Sequence, residues 1–412
     1  MIDPVFVKRV VLSNFRSIKE CSVGLGPLTF LVGPNGSGKS NFVDALRLVA
    51  EALQTSLDQA LRMRGGVGEV RRRSFGKEGK KGKGRPTNFG VRLEFQLENM
   101  IGSYAFAVGA KPNGAYEIQK EECRWSETGP LDKAWYRVEN GEVKESSESA
   151  MPVASVDQLY LIRASGTPVF RPVFDAFSRM GFYNLNPDAI RELQTPAPGE
   201  VLRRDGGNLS SVLALMGKHG QKARKRMLEF LGSVVPGITD VSVRRLGKKE
   251  TLEFLQEVVP GETIWRFLAE NMSDGTLRAL GVLTALFQAA FQNGNRVPLV
   301  GIEEPETAVH PGAAGVLRDA LVFASASTQV LVTSHSPDLL DDKDVKADWI
   351  QGVVCEQGET RIGPIDEADR SVLRDRLFTA GELLKRGQLT PDVEKVKRIP
   401  TSQLELFVRQ TE

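Results

Sequence analysis

Gly33-Pro34-Asn35-Gly36-Ser37-Gly38-Lys39-Ser40 lies directly after the apolar run Leu28-Thr29-Phe30-Leu31-Val32 and before a helical pattern that begins near Asn41. A strand, a glycine-rich turn and a helix in that order read as a phosphate-binding loop. Glycines at 33, 36 and 38 let successive backbone N–H groups face one point, where a triphosphate would lie at the positive end of the following helix. The expected cradle comprises Asn35, Gly36, Ser37, Gly38, Lys39, Ser40 and Asn41. Lys39 would reach the β and γ phosphates, and the Ser40 hydroxyl would ligate Mg2+. From Asn41 to about Met63, apolar residues such as Phe42, Ala45, Leu46, Val49 and Leu53 recur at helical spacing, so one long helix is expected.

The 412 residues have room for two or three domains, and 41% hydrophobic content suffices for a substantial core. Lys and Arg number 54 against 52 Asp and Glu, a formal charge of +2, so attraction for nucleic acid has to come from local clusters. Cys21, Cys123 and Cys355 are odd in number and lack CxxC spacing, and His219, His310 and His335 form no metal pattern. Reduced thiols and a cytoplasmic protein are expected. Met1 to Leu12 has no apolar stretch of the signal-peptide kind, and the most apolar segment, Leu280 to Phe291, is interrupted by Gln288, so no membrane segment is expected.

Residues 1–164 read as an N-terminal lobe. It opens with strands at Val5 to Leu12 and Cys21 to Leu25, ahead of the phosphate loop. Between Arg62 and Pro86 the chain turns basic and glycine-rich; Arg71, Arg72, Arg73, Lys80, Lys81 and Lys83 are either a phosphate-backbone contact for nucleic acid or part of a solvated connection. Phe89 to Leu97, Tyr104 to Ala110, Tyr116 to Trp125 and Ala134 to Val143 alternate as an antiparallel sheet, and Asp157 to Ile162 reads as one further strand. Residues 165–236 read as a helical insertion, with helices at Phe170 to Met180, Pro187 to Leu193, Leu209 to Met216 and Gln221 to Val235. Residues 237–412 form a C-terminal lobe that begins with strands at Ile238 to Arg245, Thr251 to Val258 and Thr263 to Phe267. A helix at Thr276 to Gln292, a strand at Val297 to Ile302, a helix at Gly312 to Phe323 and a strand at Gln329 to Thr333 then indicate a parallel sheet. A hairpin at Ile350 to Ile362 follows, and Thr379 with Glu382 spells a capping box. The expected class is α/β: a mixed parallel core sheet, an antiparallel sheet and a helical insertion.

Three later segments carry chemistry. Leu299-Val300-Gly301-Ile302 runs into Glu303-Glu304-Pro305-Glu306, which delivers adjacent carboxylates to the C-terminal edge of a parallel sheet, where ligands bind. Neighbouring side chains at a strand end diverge, so Glu303 is assigned to the magnesium shell and Glu304 to the attacking water. Gln329-Val330-Leu331-Val332-Thr333 ends in Ser334-His335-Ser336-Pro337, and His335 at the same edge would hydrogen-bond the γ phosphate. Asn271-Met272-Ser273-Asp274-Gly275-Thr276 precedes a helix, with Ser273 and the Gly275 backbone placed to bind an anion. Asp341, Asp342, Asp344 and Asp348 read as a solvated, helix-capping turn.

Taken in order, the loop, Ser-Asp-Gly-Thr, Glu-Glu-Pro-Glu and Ser-His-Ser-Pro resemble the ATP-binding-cassette (ABC) ATPases of the RecF, structural-maintenance-of-chromosomes (SMC) and overcoming-lysogenization-defect (OLD) type. Asn14-Phe15-Arg16-Ser17, Arg203-Arg204-Asp205-Gly206-Gly207-Asn208-Leu209 and Thr379-Ala380-Gly381-Glu382-Leu383 look like a bacterial predicted-ATPase subfamily of that group. The resemblance implies a P-loop fold of ABC type, ATP with Mg2+, hydrolysis, and Arg16 among the nucleotide contacts. It also implies a head-to-tail homodimer in which Ser273 and Gly275 of one copy meet the γ phosphate on the loop of the other. Three positions depart from or blur the pattern: Glu303 stands where the group usually has Asp, Asp274 where many transporters have Gly, and Gln158 is the candidate for the glutamine that links the lobes. No coiled-coil arm and no C-terminal nuclease domain are expected. The implied activity is an ATPase whose dimerisation switches a nucleic-acid or effector-protein interaction, with phage defence through a separately encoded effector as one setting; the alternatives are a RecF-like DNA-repair clamp and a non-hydrolysing scaffold.

Overall fold

All five side chains of Leu28–Val32 are buried, the pattern of a strand covered on both faces. The computed structural model describes residues 5–72, 88–127, 133–197, 201–258, 263–288, 297–397 and 400–407. Its strands are β1 (Val7–Phe15), β2 (Ile18–Gly24), β3 (Leu28–Val32), β4 (Asn88–Leu97), β5 (Met100–Ala110), β6 (Tyr116–Glu127), β7 (Ala134–Glu139) and β8 (Glu142–Ser146). They continue as β9 (Gly181–Tyr183), β10 (Ile238–Leu246), β11 (Lys249–Glu257), β12 (Ile264–Leu268), β13 (Leu299–Glu303), β14 (Gln329–Ser334), β15 (Ile350–Glu356) and β16 (Glu359–Pro364).

Three sheets result: β2-β1-β4-β5-β6-β7-β8, β10-β11-β12 and β16-β15-β3-β14-β13-β9. In the last, β15, β3, β14, β13 and β9 are parallel, and β16 adds an antiparallel edge. Numbered among themselves in chain order, the parallel strands run 5-1-4-3-2. Side chains alternate across this sheet. Leu31, Leu299, Leu331 and Val353 join a core with the antiparallel sheet and the helix Lys39–Gln54. Leu28, Phe30, Val32, Val300, Ile302, Val330 and Val332 join a second core with the helices Leu209–His219, Gln221–Val234, Asp274–Phe287 and Pro311–Ser325. The phosphate-loop helix is thus held between two sheets.

The structure corrects several sequence expectations. The long helix after the loop ends at Gln54, and Ser56 starts a new one, Leu57–Arg62, by accepting the Gln59 N–H at 3.1 Å. Residues 157–162 are not a strand; Tyr160–Ala164 is a helical turn. The buried Glu121 carboxylate accepts the N–H groups of Tyr160 at 2.6 Å and Leu161 at 2.8 Å, which satisfies a helix start and cannot occur in a ladder. Asn140 and Gly141 split the segment 134–143 into β7 and β8. The short strand β9 goes unanticipated because three residues carry no periodicity.

Gln329, at the start of β14, ties the N-terminal strand to the parallel sheet. Its Oε1 accepts from Phe6 N at 3.2 Å and Val7 N at 2.8 Å, while Nε2 donates to Val7 O at 2.8 Å and Gly26 O at 3.0 Å. Gln329→Leu leaves these buried backbone groups unpaired and should lower the unfolding free energy by roughly 2–4 kcal/mol in urea titrations.

Glu121 also accepts the hydroxyls of Tyr104 at 3.1 Å and Tyr136 at 2.9 Å. Burial pushes its carboxyl from 4.5 up to about 7, against the pull of these donors. Below about 4.5 the group is neutral in both states, and as pH rises through about 7 its contribution to stability is lost. The stability margin of the wild type over Glu121→Gln should therefore shrink by up to ~3 kcal/mol between pH 5 and pH 8, as read by urea denaturation.

Candidate nucleotide-binding site

Parallel register brings the separate motifs to one edge. Val32 pairs with Ser334, and Thr333 pairs with Glu303. The phosphate loop, Ser334-His335 and Glu303-Glu304 therefore leave the sheet side by side.

In the loop, Gly36 and Gly38 have φ of +76° and +103°, and Gly38 is the N-cap of the helix Lys39–Gln54. Both lie in the left-handed region that side chains disfavour. A Cβ at Gly38 would run into the Thr360 side chain, and one at Gly33 into the Val353 carbonyl. The loop rests directly on the β15–β16 hairpin. Thr360 Oγ1 donates to Ser37 O at 2.9 Å and bonds Ser17 Oγ at 2.7 Å, which in turn accepts from Asn41 Nδ2 at 2.7 Å. Thr360 carries no motif, and Ser17 is quoted in the Asn14-Phe15-Arg16-Ser17 stretch without a role, so sequence reading misses both contacts.

Lys39 is buried, and its Nζ donates to Gly33 O at 2.7 Å and Pro34 O at 3.0 Å. Burial pulls its pKa below the usual lysine range, while the Glu304 and Glu306 carboxylates act the other way. Among the described residues, the buried Ser37 Oγ has no hydrogen-bond partner. A cationic group curled over its own carbonyls, an orphaned hydroxyl and two left-handed glycines suit an anionic ligand of the phosphate class. Asn35, Gly36 and Ser40 are exposed at the rim. Ser40 and Glu303 are the oxygen donors that would hold Mg2+, whose chemistry is to neutralise phosphate charge.

The adjacent carboxylates diverge as expected. Glu303 pairs with Arg204 at 3.0 Å. Glu304 turns through a left-handed backbone, φ +46°, and its Oε1 lies 3.1 Å from His335 Nδ1. Arg278 fixes this turn by donating to the carbonyls of Glu303 at 3.1 Å and Glu304 at 3.0 Å. Glu306, quoted in the motif without a role, accepts from Ser334 Oγ at 2.6 Å through Oε1, and among the described residues its buried Oε2 has no partner. Burial pushes its carboxyl up, and the Ser334 bond opposes that.

Other site residues lie apart. Arg16 pairs with Asp44 at 2.6 Å, on the helix behind the loop. Burial raises the Asp44 pKa, but Arg64, Arg47 and Arg16 outweigh it and hold the carboxyl below its usual range. Ser273 caps the helix Asp274–Phe287 and bonds Thr276 Oγ1 at 2.8 Å. Gly275 abuts the Ala308 carbonyl. Among the described residues, no hydrogen bond joins Ser273 to the phosphate loop. Gln158 accepts from Arg163 Nε at 2.9 Å. Of the basic stretch, Arg71 bridges to Phe15 and Arg72 pairs with Glu359 at 3.0 Å; Arg73, Lys80, Lys81 and Lys83 lie outside the described residues. Asp341 accepts from Thr379 Oγ1 at 2.6 Å and Asp342 pairs with Arg318 at 2.7 Å, while Asp344 and Asp348 pair with Arg376 and Arg370. Among the described residues, no cluster of His, Cys, Asp and Glu could hold a metal, and no helix is long and apolar enough to cross a membrane.

The strand order, with a phosphate loop after the first parallel strand and paired carboxylates after the third, defines a P-loop nucleotide-binding core. Residues 6–127 match the family described as AAA ATPase domain, and residues 266–341 the family described as AAA domain, putative AbiEii toxin, Type IV TA system. The OLD nuclease of Thermus scotoductus is 43% identical over 51 residues, 12% of this chain and 10% of that protein. RecF of Vibrio vulnificus is 43% identical over 44 residues, 10% of this chain and 12% of that protein. The matched segments thus span about a tenth of these relatives. The SMC head bound to the C-winged helix domain of ScpA shares the fold, with a TM-score of 0.54 at 13% identity over 89% of this chain and 99% of that one. These matches support an ABC/SMC/OLD-like P-loop ATPase fold for this chain.

Lys39→Ala should weaken binding of a fluorescent ATP analogue by roughly 10- to 100-fold, the loss of charge-assisted hydrogen bonds. Unchanged affinity in that titration would show that the loop does not hold the phosphates.

Proposed function

We propose that the chain binds MgATP, closes head to tail with a second copy, and hydrolyses the nucleotide in the closed state. The observation that carries this reading is the Glu304–His335 pair on the sheet edge shared with Lys39. Lys39 holds phosphate charge, Ser40 and Glu303 supply the metal's protein oxygens, and Glu304 accepts a proton from an oriented water. In this reading His335 contacts the γ phosphate, a role supported by its contact with the Glu304 carboxylate. Ser273 and Gly275 of a second copy complete the phosphate wall, which fits an exposed Ser273 whose side chain, among the described residues, bonds only within its own turn. Arg16 adds a nucleotide contact by exchanging its Asp44 pair. Three lobes, 1–164, 165–236 and 237–412, organise this cycle.

Closure then switches an interaction. The basic segment around Arg71 to Lys83 is the nucleic-acid contact, and the SMC head with a bound winged-helix domain lends support to a protein effector. The OLD nuclease likeness and the toxin–antitoxin description of one matching family favour phage defence in the cytoplasm with a separately encoded effector. The RecF likeness favours a second reading, a DNA-repair clamp, which binds DNA tightly and with steep salt dependence in the absence of any effector.

Glu304→Gln should cut phosphate release by about 100-fold or more, the usual contribution of a general base. In gel filtration with ATP it should elute as a dimer, whereas Lys39→Ala should stay monomeric. Wild-type turnover in both variants would contradict the proposal.

A further inference from the structure

Two stretches that the proposed cycle leaves without a role meet behind His335. The helix Ala380–Lys385 opens with the capping box, in which Thr379 Oγ1 accepts from Glu382 N at 3.1 Å and Glu382 Oε2 accepts from Thr379 N at 2.8 Å. A hydroxyl that accepts in this way keeps its one proton to give. Thr379 gives it to Asp341 Oδ1 at 2.6 Å. Asp341 directly follows the helical turn Pro337–Leu340, which begins two residues after His335. The acidic turn expected to be merely solvated is therefore a strap: Asp341 reaches Thr379, Asp344 reaches Arg376 at 2.9 Å, and Asp348 reaches Arg370.

Packing closes the contact. Leu339, Leu340, Ala380 and Leu383 are buried in one core. Gly381 comes so near the turn that a Cβ there would stand 2.4 Å from Pro337 O and 3.0 Å from Asp341 Cα. Carbon meets a carbonyl oxygen at about 3.3 Å, so a side chain at this position has to push the backbone of 337–341 away. Glycine is otherwise unfavourable inside a helix, and the close approach is what calls for it.

The link from this turn to His335 is short and stiff. Ser336 is extended, with φ −89° and ψ 124°, the region to which a following proline restricts a residue. Its N–H donates to Ser334 Oγ at 3.0 Å, and Ser334 Oγ donates to Glu306 at 2.6 Å. His335 thus sits between two anchors, the strand end at Ser334 and the contact of 337–341 with Thr379 and Gly381. Its Nδ1 lies 3.1 Å from Glu304 Oε1.

We propose that Gly381 and Thr379 are positioning residues for His335: the helix Ala380–Lys385 holds the turn at 337–341 so that the imidazole meets Glu304. The consequence for turnover rests on the roles proposed above for His335 and Glu304, whereas the placement of the ring does not.

With histidine 13C-labelled at Cε1, the full chain gives three ring signals, from His219, His310 and His335, and His335→Gln assigns the last. Gly381→Ala should move the His335 signal and leave that of His219 in place. In the same variant kcat for phosphate release from MgATP should fall roughly 10- to 100-fold, the effect of a misplacement of about 1 Å, while affinity for a fluorescent ATP analogue stays within about twofold of wild type. Thr379→Val should act in the same direction, and Thr379→Ser, which keeps the hydroxyl, should restore both signal and kcat. Melting temperature shows that each variant folds, and the Thr379 pair carries the test if Gly381→Ala does not. An unmoved His335 signal in the folded variants overturns the proposal, and so does wild-type kcat in a variant whose signal has moved. Wild-type turnover in Glu304→Gln overturns instead the reading of the site, and with it the effect on kcat, whatever the ring signal does.

Discussion

Parallel pairing of β3, β14 and β13 is the constraint on which the site depends. Each strand is a short buried run, and in-register pairing forces their C-terminal ends to coincide, with Val32 beside Ser334 and Thr333 beside Glu303. Residues separated by some three hundred positions in the chain meet for that reason alone. The two cores on the faces of this sheet fix it in place. Because a slip of one residue would turn every side chain to the opposite face, burial on both sides makes the register a consequence of packing.

On that frame the site is held in tension by charge and burial. Lys39 is drawn toward neutrality by burial and toward the cation by Glu304 and Glu306, and it meanwhile bonds its own loop carbonyls. Glu303 and Glu304, adjacent in sequence, are pulled to Arg204 and His335 respectively, while Arg278 clamps the backbone between them. These pairs are partly exposed, and partly exposed ion pairs contribute little net stability. They can therefore be exchanged for a ligand's charges without unfolding the edge. Thr360 adds a rigid floor, because its hydroxyl reaches the loop from β16 at the other end of the chain.

Local chemistry was legible in the sequence wherever it is written within a few residues. The glycine spacing of 33, 36 and 38, the apolar runs that end in Glu303-Glu304 and His335, and the Thr379–Glu382 capping box all correspond to observed geometry. What could not be read depends on long-range partners. Glu121 turns an apolar stretch at 160–164 into a helical start, Ser56 interrupts a helix whose periodicity continues through it, and Thr360 lies in a hairpin with no motif. Arg16 adds a partner of the same long-range kind: the resemblance assigns it to the nucleotide, and the structure pairs it with a carboxylate, Asp44, surrounded by three arginines.

The central claim is that the loop at Gly33 to Ser40 is half of a nucleotide site. A structure of the chain with Mg2+ and a non-hydrolysable ATP analogue tests it most directly. The account predicts a triphosphate on the loop, its γ phosphate in contact with Lys39 and His335 of one copy and with Ser273 and Gly275 of the other. A nucleotide held by one copy alone, with Ser273 remote from every phosphate, would contradict it.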